Sequence, residues 1–443
     1  MLHRFRKNPR RKPRIVIIRV SLAALATSLI AVTALLLVGR TPNRQWNTTR
    51  DESIRLFEET RSGLPYSISV VEIDDQGVMW DPQQLDWTLA HLHSVIETHP
   101  VGTIVQVFIH GWKQNARWRG NGSSRLDSFR TQLDRIASRV ARSSDAVNPP
   151  GIVGVYIGWR GRSFSLPAFE NVTFWNRRVA AHRAANLDLL EILLKLARLG
   201  SQYDEVKMVM VGHSMGGLIL EKTLTPAIVT TALGPTTKTA PEPIGVDLVV
   251  SANPATSALD AHRLMEFFRR NDTQLVTVDA TGRIELARGP IIVSLNSEAD
   301  MVNRLSFPLG MWINSLFLKY RTDSSPDRPP QRRLGIRAAG HEPSIITHSV
   351  VLESGVPVLK GRSETPNPSP YWIVRLPKEI SSGHSDVSNP RISRIIVDLM
   401  DLNRVFEPEI QLALSTRTNR EETVLSRSSD ASGPARAGQA GLR

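Results

Sequence analysis

The chain contains no cysteine in 443 residues. Disulfide bonds, thiolate-held metal, a thiol nucleophile and a lipid-modified cysteine are therefore excluded. The lack is silent on compartment, because many extracytoplasmic proteins carry no disulfide. Acidic residues are missing altogether from positions 1–50, which hold eleven Lys and Arg. Of the net charge of +13, only two positive charges remain for residues 51–443. That distribution argues against a basic nucleic-acid-binding body, because the basicity belongs to a leader. Internal repeats are also lacking. His341 and His348 flank Glu342, but they stand seven apart with Pro343 between them, so no His-Glu-x-x-His zinc site is formed. Neither a metal nor any other cofactor is expected.

What is present begins with an apolar leader. Residues 1–14 are basic, residues 15–39 are apolar, and 21–38 form an uncharged run of 18. A bilayer core takes about 20 such residues. A basic flank followed by an apolar run predicts a single-pass signal anchor over 15–39, with the body on the extracytoplasmic side. The alternative is secretion after cleavage, for which residues 36–40 offer a poor site. Residues 40–62 read as a polar linker with a short helix near 54–57. Residues 416–443 are rich in Ser, Arg, Ala and Gly and read as a disordered tail. The interval 63–415 remains for one catalytic-sized domain.

Within it, apolar runs alternate with amphipathic stretches. Strands are predicted over 66–73, 104–110, 152–159, 206–212, 246–251, 291–295 and 371–376. Helices are predicted over 84–98, 123–142, 172–199, 217–230 and 257–269, with a hairpin over 274–278 and 284–287. Uniformly apolar strands separated by helices imply an α/β fold with a mostly parallel sheet covered on both faces. Ligands of such sheets bind beyond the carboxyl ends of the strands. About 311–370 is expected to be an insertion or lid, since long intervals of this kind usually cover sites. The apolar residues 307–312 and 316–318 either cover a pocket or fill the core.

The chemistry-bearing residues fall at the predicted strand ends. Gly212-His213-Ser214-Met215-Gly216-Gly217 follows one strand and opens a helix. A serine on so sharp a turn stands clear of the sheet. Residues two before and two after it crowd each other, which suits Gly212 and Gly216. The Met215 N–H, at the positive end of the new helix, is aimed at a developing oxyanion. His110-Gly111-Trp112 ends an earlier strand. Gly111 lets the backbone approach closely, and His110 is expected to hold the loop. Beyond Ser214, the strand over 291–295 leads to Asp300, with Glu298 and Asp260 as alternative acids. The strand over 246–251 ends instead in Asn253, a neutral amide that would not stabilise an imidazolium as a carboxylate does. His384, just past the last strand, is the expected base; His341 and His348 also follow the serine.

These residues resemble the α/β-hydrolase superfamily in its esterase/lipase branch. The segments 108–116, 154–163 and 173–181 are similar to a bacterial, membrane-anchored group of α/β-hydrolases. The resemblance spans roughly residues 66–400. It implies an α/β-hydrolase fold and a Ser-acid-His order met by Ser214, Asp300 and His384. It also implies oxyanion donors at Met215 and Trp112, and an ester, small or lipid, as substrate. Two other readings are another acyl substrate (peptide, thioester or envelope acyl group) and a catalytically silent interaction module on the same fold. Arg160 and Arg162 are expected in a solvated loop.

Overall fold

The computed structural model describes residues 25–30, 33, 41–60, 62–118, 125–143, 148–163, 173–232, 245–271, 276–278, 284–286, 289–321, 330–362 and 369–406. The predicted tail and most of the predicted anchor lie outside them. Among the described residues, no helix is long and apolar enough to cross a membrane.

Ten strands form one sheet in the order β1-β2-β4-β3-β5-β6-β9-β12-β10-β11. They are β1 (Ile54–Phe57), β2 (Tyr66–Glu72), β3 (Thr103–Ile109), β4 (Gly151–Gly158), β5 (Val206–His213), β6 (Leu248–Ala252), β9 (Ile292–Ser297), β10 (His348–Glu353), β11 (Val356–Gly361) and β12 (Tyr371–Leu376). The eight inner strands are parallel, and β1 and β11 close the two edges antiparallel. A separate hairpin pairs β7 (Val276–Val278) with β8 (Ile284–Leu286).

Successive residues of a strand point to opposite faces, so each inner strand feeds two cores. Val105, Val107 and Ile109 of β3, with Met208 and Met210 of β5, enter one. It is closed by α2 (Gln83–Thr98), α4 (Phe174–Ala184), α5 (Leu187–Gln202), α6 (Met215–Ala232) and α7 (Ala258–Arg270). Ile104 and Phe108, with Val209 and Val211, enter the other, which is closed by α3 (Arg125–Ser143) and α10 (Pro390–Leu402). Strands buried on both faces have no polar side to show. Their sequences are mostly apolar for that reason.

Two expectations need correction. Residues 54–57 form edge strand β1; the helix is α1 (Arg50–Ser53), whose Thr49 and Glu52 make a reciprocal capping box. Residues 54–57 of the expected linker thus lie in the sheet. Its upstream end is also docked, because the Glu72 carboxylate accepts the N–H groups of Trp46 (3.0 Å) and Asn47 (2.8 Å). The helix expected over 172–199 breaks at Asn186, a residue type favoured at N-caps, into α4 and α5. The 311–370 interval holds regular structure. The helical run after β9 opens with a π-turn at Val302–Ser306 and continues as α8 (Phe307–Ser315), followed by α9 (Gln331–Ile336) and the β10–β11 hairpin. β12, later in sequence, inserts between β9 and β10.

Candidate active site

The carboxyl ends of β3, β5, β6, β9 and β12 meet at one place. Ser214 lies between β5 and α6 with φ of +56°, a conformation L-residues avoid. It is held there by three backbone bonds. Its N–H donates to Ala252 O (2.8 Å), and its carbonyl accepts from Leu218 and Ala255 (3.1 Å each). Side chains at the flanking glycines would break the turn. A Cβ on Gly212 would lie 2.7 Å from Gly216 O, and one on Gly216 would lie 2.6 Å from His110 O.

The Ser214 hydroxyl donates to His384 Nε2 (2.6 Å), and His384 Nδ1–H donates to Asp300 Oδ2 (2.7 Å). Asp300 is 1% exposed. Its second oxygen accepts the Asn303 N–H (3.0 Å), so both carboxylate oxygens are occupied and the ring orientation is fixed. This pairing selects the tautomer in which Nε2 is free to accept the serine proton.

The N–H groups of Met215 and Trp112 have no acceptor among the described residues. The first is the opening N–H of α6, which a helix leaves unpaired by construction. The second belongs to the turn after β3, whose Gly111 packs against the elbow: a Cβ there would lie 2.9 Å from Ser214 Cβ. His110 behind it takes the Trp159 N–H on Nε2 (3.0 Å) and donates from Nδ1 to Gly111 O (2.9 Å). Burial pushes its pKa down to about 4. It is a neutral brace for the loop. The other candidate residues lie elsewhere. Glu298 pairs with Arg375 (2.8 Å). Asp260 is bonded to Ser257 at the start of α7. His348 packs against Trp372, ring centroids 4.0 Å apart. Arg160, expected in solvent, is ion-paired with Asp75.

Three further residues bear on this site: Asn253, which sequence named only as a neutral amide at a strand end, and His213 and Arg125, to which it gave no role. His213 donates from Nε2 to the carbonyl of His384 (2.9 Å), and Asn253 Nδ2 donates to the same oxygen (3.1 Å). Asn253 Oδ1 in turn accepts the Ser297 N–H (2.8 Å) and ties that loop to β9. Burial, helped by the charge of Arg125, holds His213 well below the usual histidine range. Arg125 is itself buried and donates to Ser388 Oγ (2.8 Å). The signal for His213 was its place inside the serine motif. Arg125 carried none.

No protein-family model matches the chain, and no curated protein matches it. Several solved structures are similar to it. One is the phospholipase PlaB from Legionella pneumophila in complex with thio-NAD, with 13% identity and a TM-score of 0.27, covering 72% of this chain and 64% of that one. Another is an inhibited esterase B from Lactobacillus rhamnosis, with 12% identity and a TM-score of 0.27, covering 92% and 99%. A third is the peroxisomal α/β-hydrolase Lpx1 from Saccharomyces cerevisiae, with 11% identity and a TM-score of 0.24, covering 76% and 89%. The chain thus spans slightly less than two thirds of the PlaB chain's length. The chemistry rests on the side chains themselves.

Proposed function

We propose that the chain is a serine hydrolase of the α/β-hydrolase type that cleaves carboxylic esters through an acyl-enzyme. One observation carries this reading: the continuous path from the Ser214 hydroxyl through His384 to the buried Asp300, with links of 2.6 and 2.7 Å. In the first step Ser214 Oγ bonds to the ester carbon while its proton passes to His384 Nε2. The carbonyl oxygen becomes an oxyanion that the Met215 and Trp112 N–H groups receive. Collapse expels the alcohol, which takes the proton back from His384. Water then repeats the two steps on the acyl-enzyme and frees the acid and Ser214. Asp300 holds the imidazole and stabilises its transient positive charge.

The leader supports a membrane setting. Its basic flank and uncharged run of 18 residues fit a single anchor with the hydrolase outside the cytoplasm.

A fluorophosphonate probe on the purified full chain tests the reading. Labelling is expected in the wild type and absent in Ser214→Ala. On a panel of esters, thioesters and amides, Ser214→Ala and His384→Ala should each lose roughly 10⁴-fold or more in kcat. A folded wild type that takes no label would sink the hydrolase and leave a silent interaction module on the same fold.

A further inference from the structure

We propose that residues 301–318, which begin directly after Asp300, dock into a bilayer surface bearing anionic phospholipid. The inference rests on the anchored setting proposed above and adds a second membrane contact, in the segment that follows Asp300.

The π-turn and α8 expose large apolar side chains at helical spacing: Met301, Leu305, Leu309, Ile313 and Leu316, with Trp312 beside them. Leu309 is 62% exposed and Phe317, just past the helix, is 86% exposed. The opposite face is fixed to the body. Phe307 is buried, with Arg178 over its ring, and Gly310 lies against the Trp175 indole. A helix held on one side by the fold and left apolar on the other marks an interaction surface rather than a core element.

The charge around this face selects the occupant. A cavity of about 720 Å³ beside it is lined by Arg304, Arg337, Arg375, Lys378 and His341, with Glu298 the one acid of the lining. Arg375 is engaged by Glu298, and Arg337 by Glu342. Arg304 and Lys378 have no ion-pair partner among the described residues, which leaves two cations for headgroup phosphates. Apolar side chains flanked by basic ones are the composition of an interfacial helix.

The way the leader arrives agrees. Three residues after the uncharged run, Thr41 donates its N–H to Ser163 O (3.1 Å), in the loop beyond β4. Thr41, next after the leader, is therefore held at the carboxyl end of the sheet, the end from which residues 301–318 also depart. An anchor entering there brings this end of the body against the bilayer.

A chain without cysteine makes the test direct, since one introduced thiol takes one label. Full chains carrying Leu309→Cys, or Glu97→Cys near the amino ends of the strands, are labelled with NBD. They are reconstituted with vesicles of phosphatidylcholine and phosphatidylglycerol. The Leu309→Cys label should shift to the blue and be quenched by spin-labelled lipid, and the Glu97→Cys label should not. Arg304→Gln and Lys378→Gln should each weaken docking about fivefold, and Ser214→Ala should leave it unchanged. Flotation in high salt reads the anchor separately. A chain that floats with its Leu309→Cys label unquenched overturns the docking face while sparing the anchor. A chain that does not float in high salt, yet is quenched in low salt, overturns the anchor alone; failure of both signals overturns both. Equal docking on phosphatidylcholine alone would remove the anionic headgroup. A blue shift that follows protein concentration without vesicles would replace the bilayer with a second copy of the chain.

Discussion

Asn253 stands at the end of β6 with φ of +47°, a conformation that asparagine tolerates better than most residues. In sequence it reads as a neutral amide where a carboxylate would have suggested the acid. In the fold it grips the carbonyl of His384 from one end of its amide and the N–H of Ser297 from the other. It is a positioning residue, because it touches the loop that aims His384 and not the imidazole. Asn253→Ala removes both bonds and strains the backbone. On a soluble ester, kcat should fall on the order of tenfold to a hundredfold while KM stays close to wild type, since small misplacements of a base cost that much. A kcat equal to wild type would show that the remaining bonds, from His213 and from Ser297 to Ser381 O, secure the loop without it. Residue type alone set Asp300 apart from Asn253 as the carboxylate, and the fold brings that carboxylate to 2.7 Å from His384 Nδ1. The choice of His384 over His341 and His348 was not a local matter. Asp300 and His384 are 84 positions apart, and only the parallel pairing of β9 with β12 brings their loops together.

The loops after β3 and β5 are built as one element. Gly111 approaches so closely that a Cβ would sit 2.7 Å from His213 O. Overpacking of this kind typically costs about 1–3 kcal/mol, and here it would also press on Ser214. Gly111→Ala should lower the melting temperature by several degrees and reduce kcat further than a destabilised but native site would. Measuring both below the melting transition separates the two effects. Long, mostly apolar strands such as β3, β4 and β5 could be read directly from sequence, because burial on both faces leaves no regular polar alternation. Shorter elements could not. β1 is four residues, and its Ile-Arg-Leu-Phe pattern fits one helical turn as well as an edge strand. The β10–β11 hairpin turns on Ser354 and Gly355, both at positive φ, a short turn signal in a stretch with few buried side chains. The split between α4 and α5 hangs on a single asparagine within an otherwise continuous helical pattern.

At the scale of the whole molecule, buried titratable groups set the response to pH. Burial pushes His110, His182 and His348 down to about 4 each from 6.5. These groups are neutral in the fold and protonate more readily when it opens, so their share of stability is present above 6.5 and lost as pH falls toward 4. Glu221 runs the other way. Burial raises it from 4.5 to about 7, the folded state keeps its proton longer, and stability declines as pH rises from 4.5 through 7. Its one firm hydrogen bond is from the Thr256 hydroxyl to Oε2 (2.6 Å), and Oε1 is buried. Glu221→Gln should therefore change the melting temperature little near pH 4 and raise it near pH 8, which thermal melts across that range would check. A constant difference at every pH would mean that Glu221 is already ionised in the fold. The order of the strands has a further consequence in time. β12 follows β10 and β11 in the chain, yet it lies between β9 and β10, joined by six paired positions to the first and two to the second. Synthesis runs from the amino end, so Ser214 and Asp300 leave the ribosome before residues 371–384 exist. A serine hydroxyl without its base is a weak nucleophile. For the proposed hydrolase, the growing chain therefore stays chemically idle until the closing of one late strand brings His384 to Ser214.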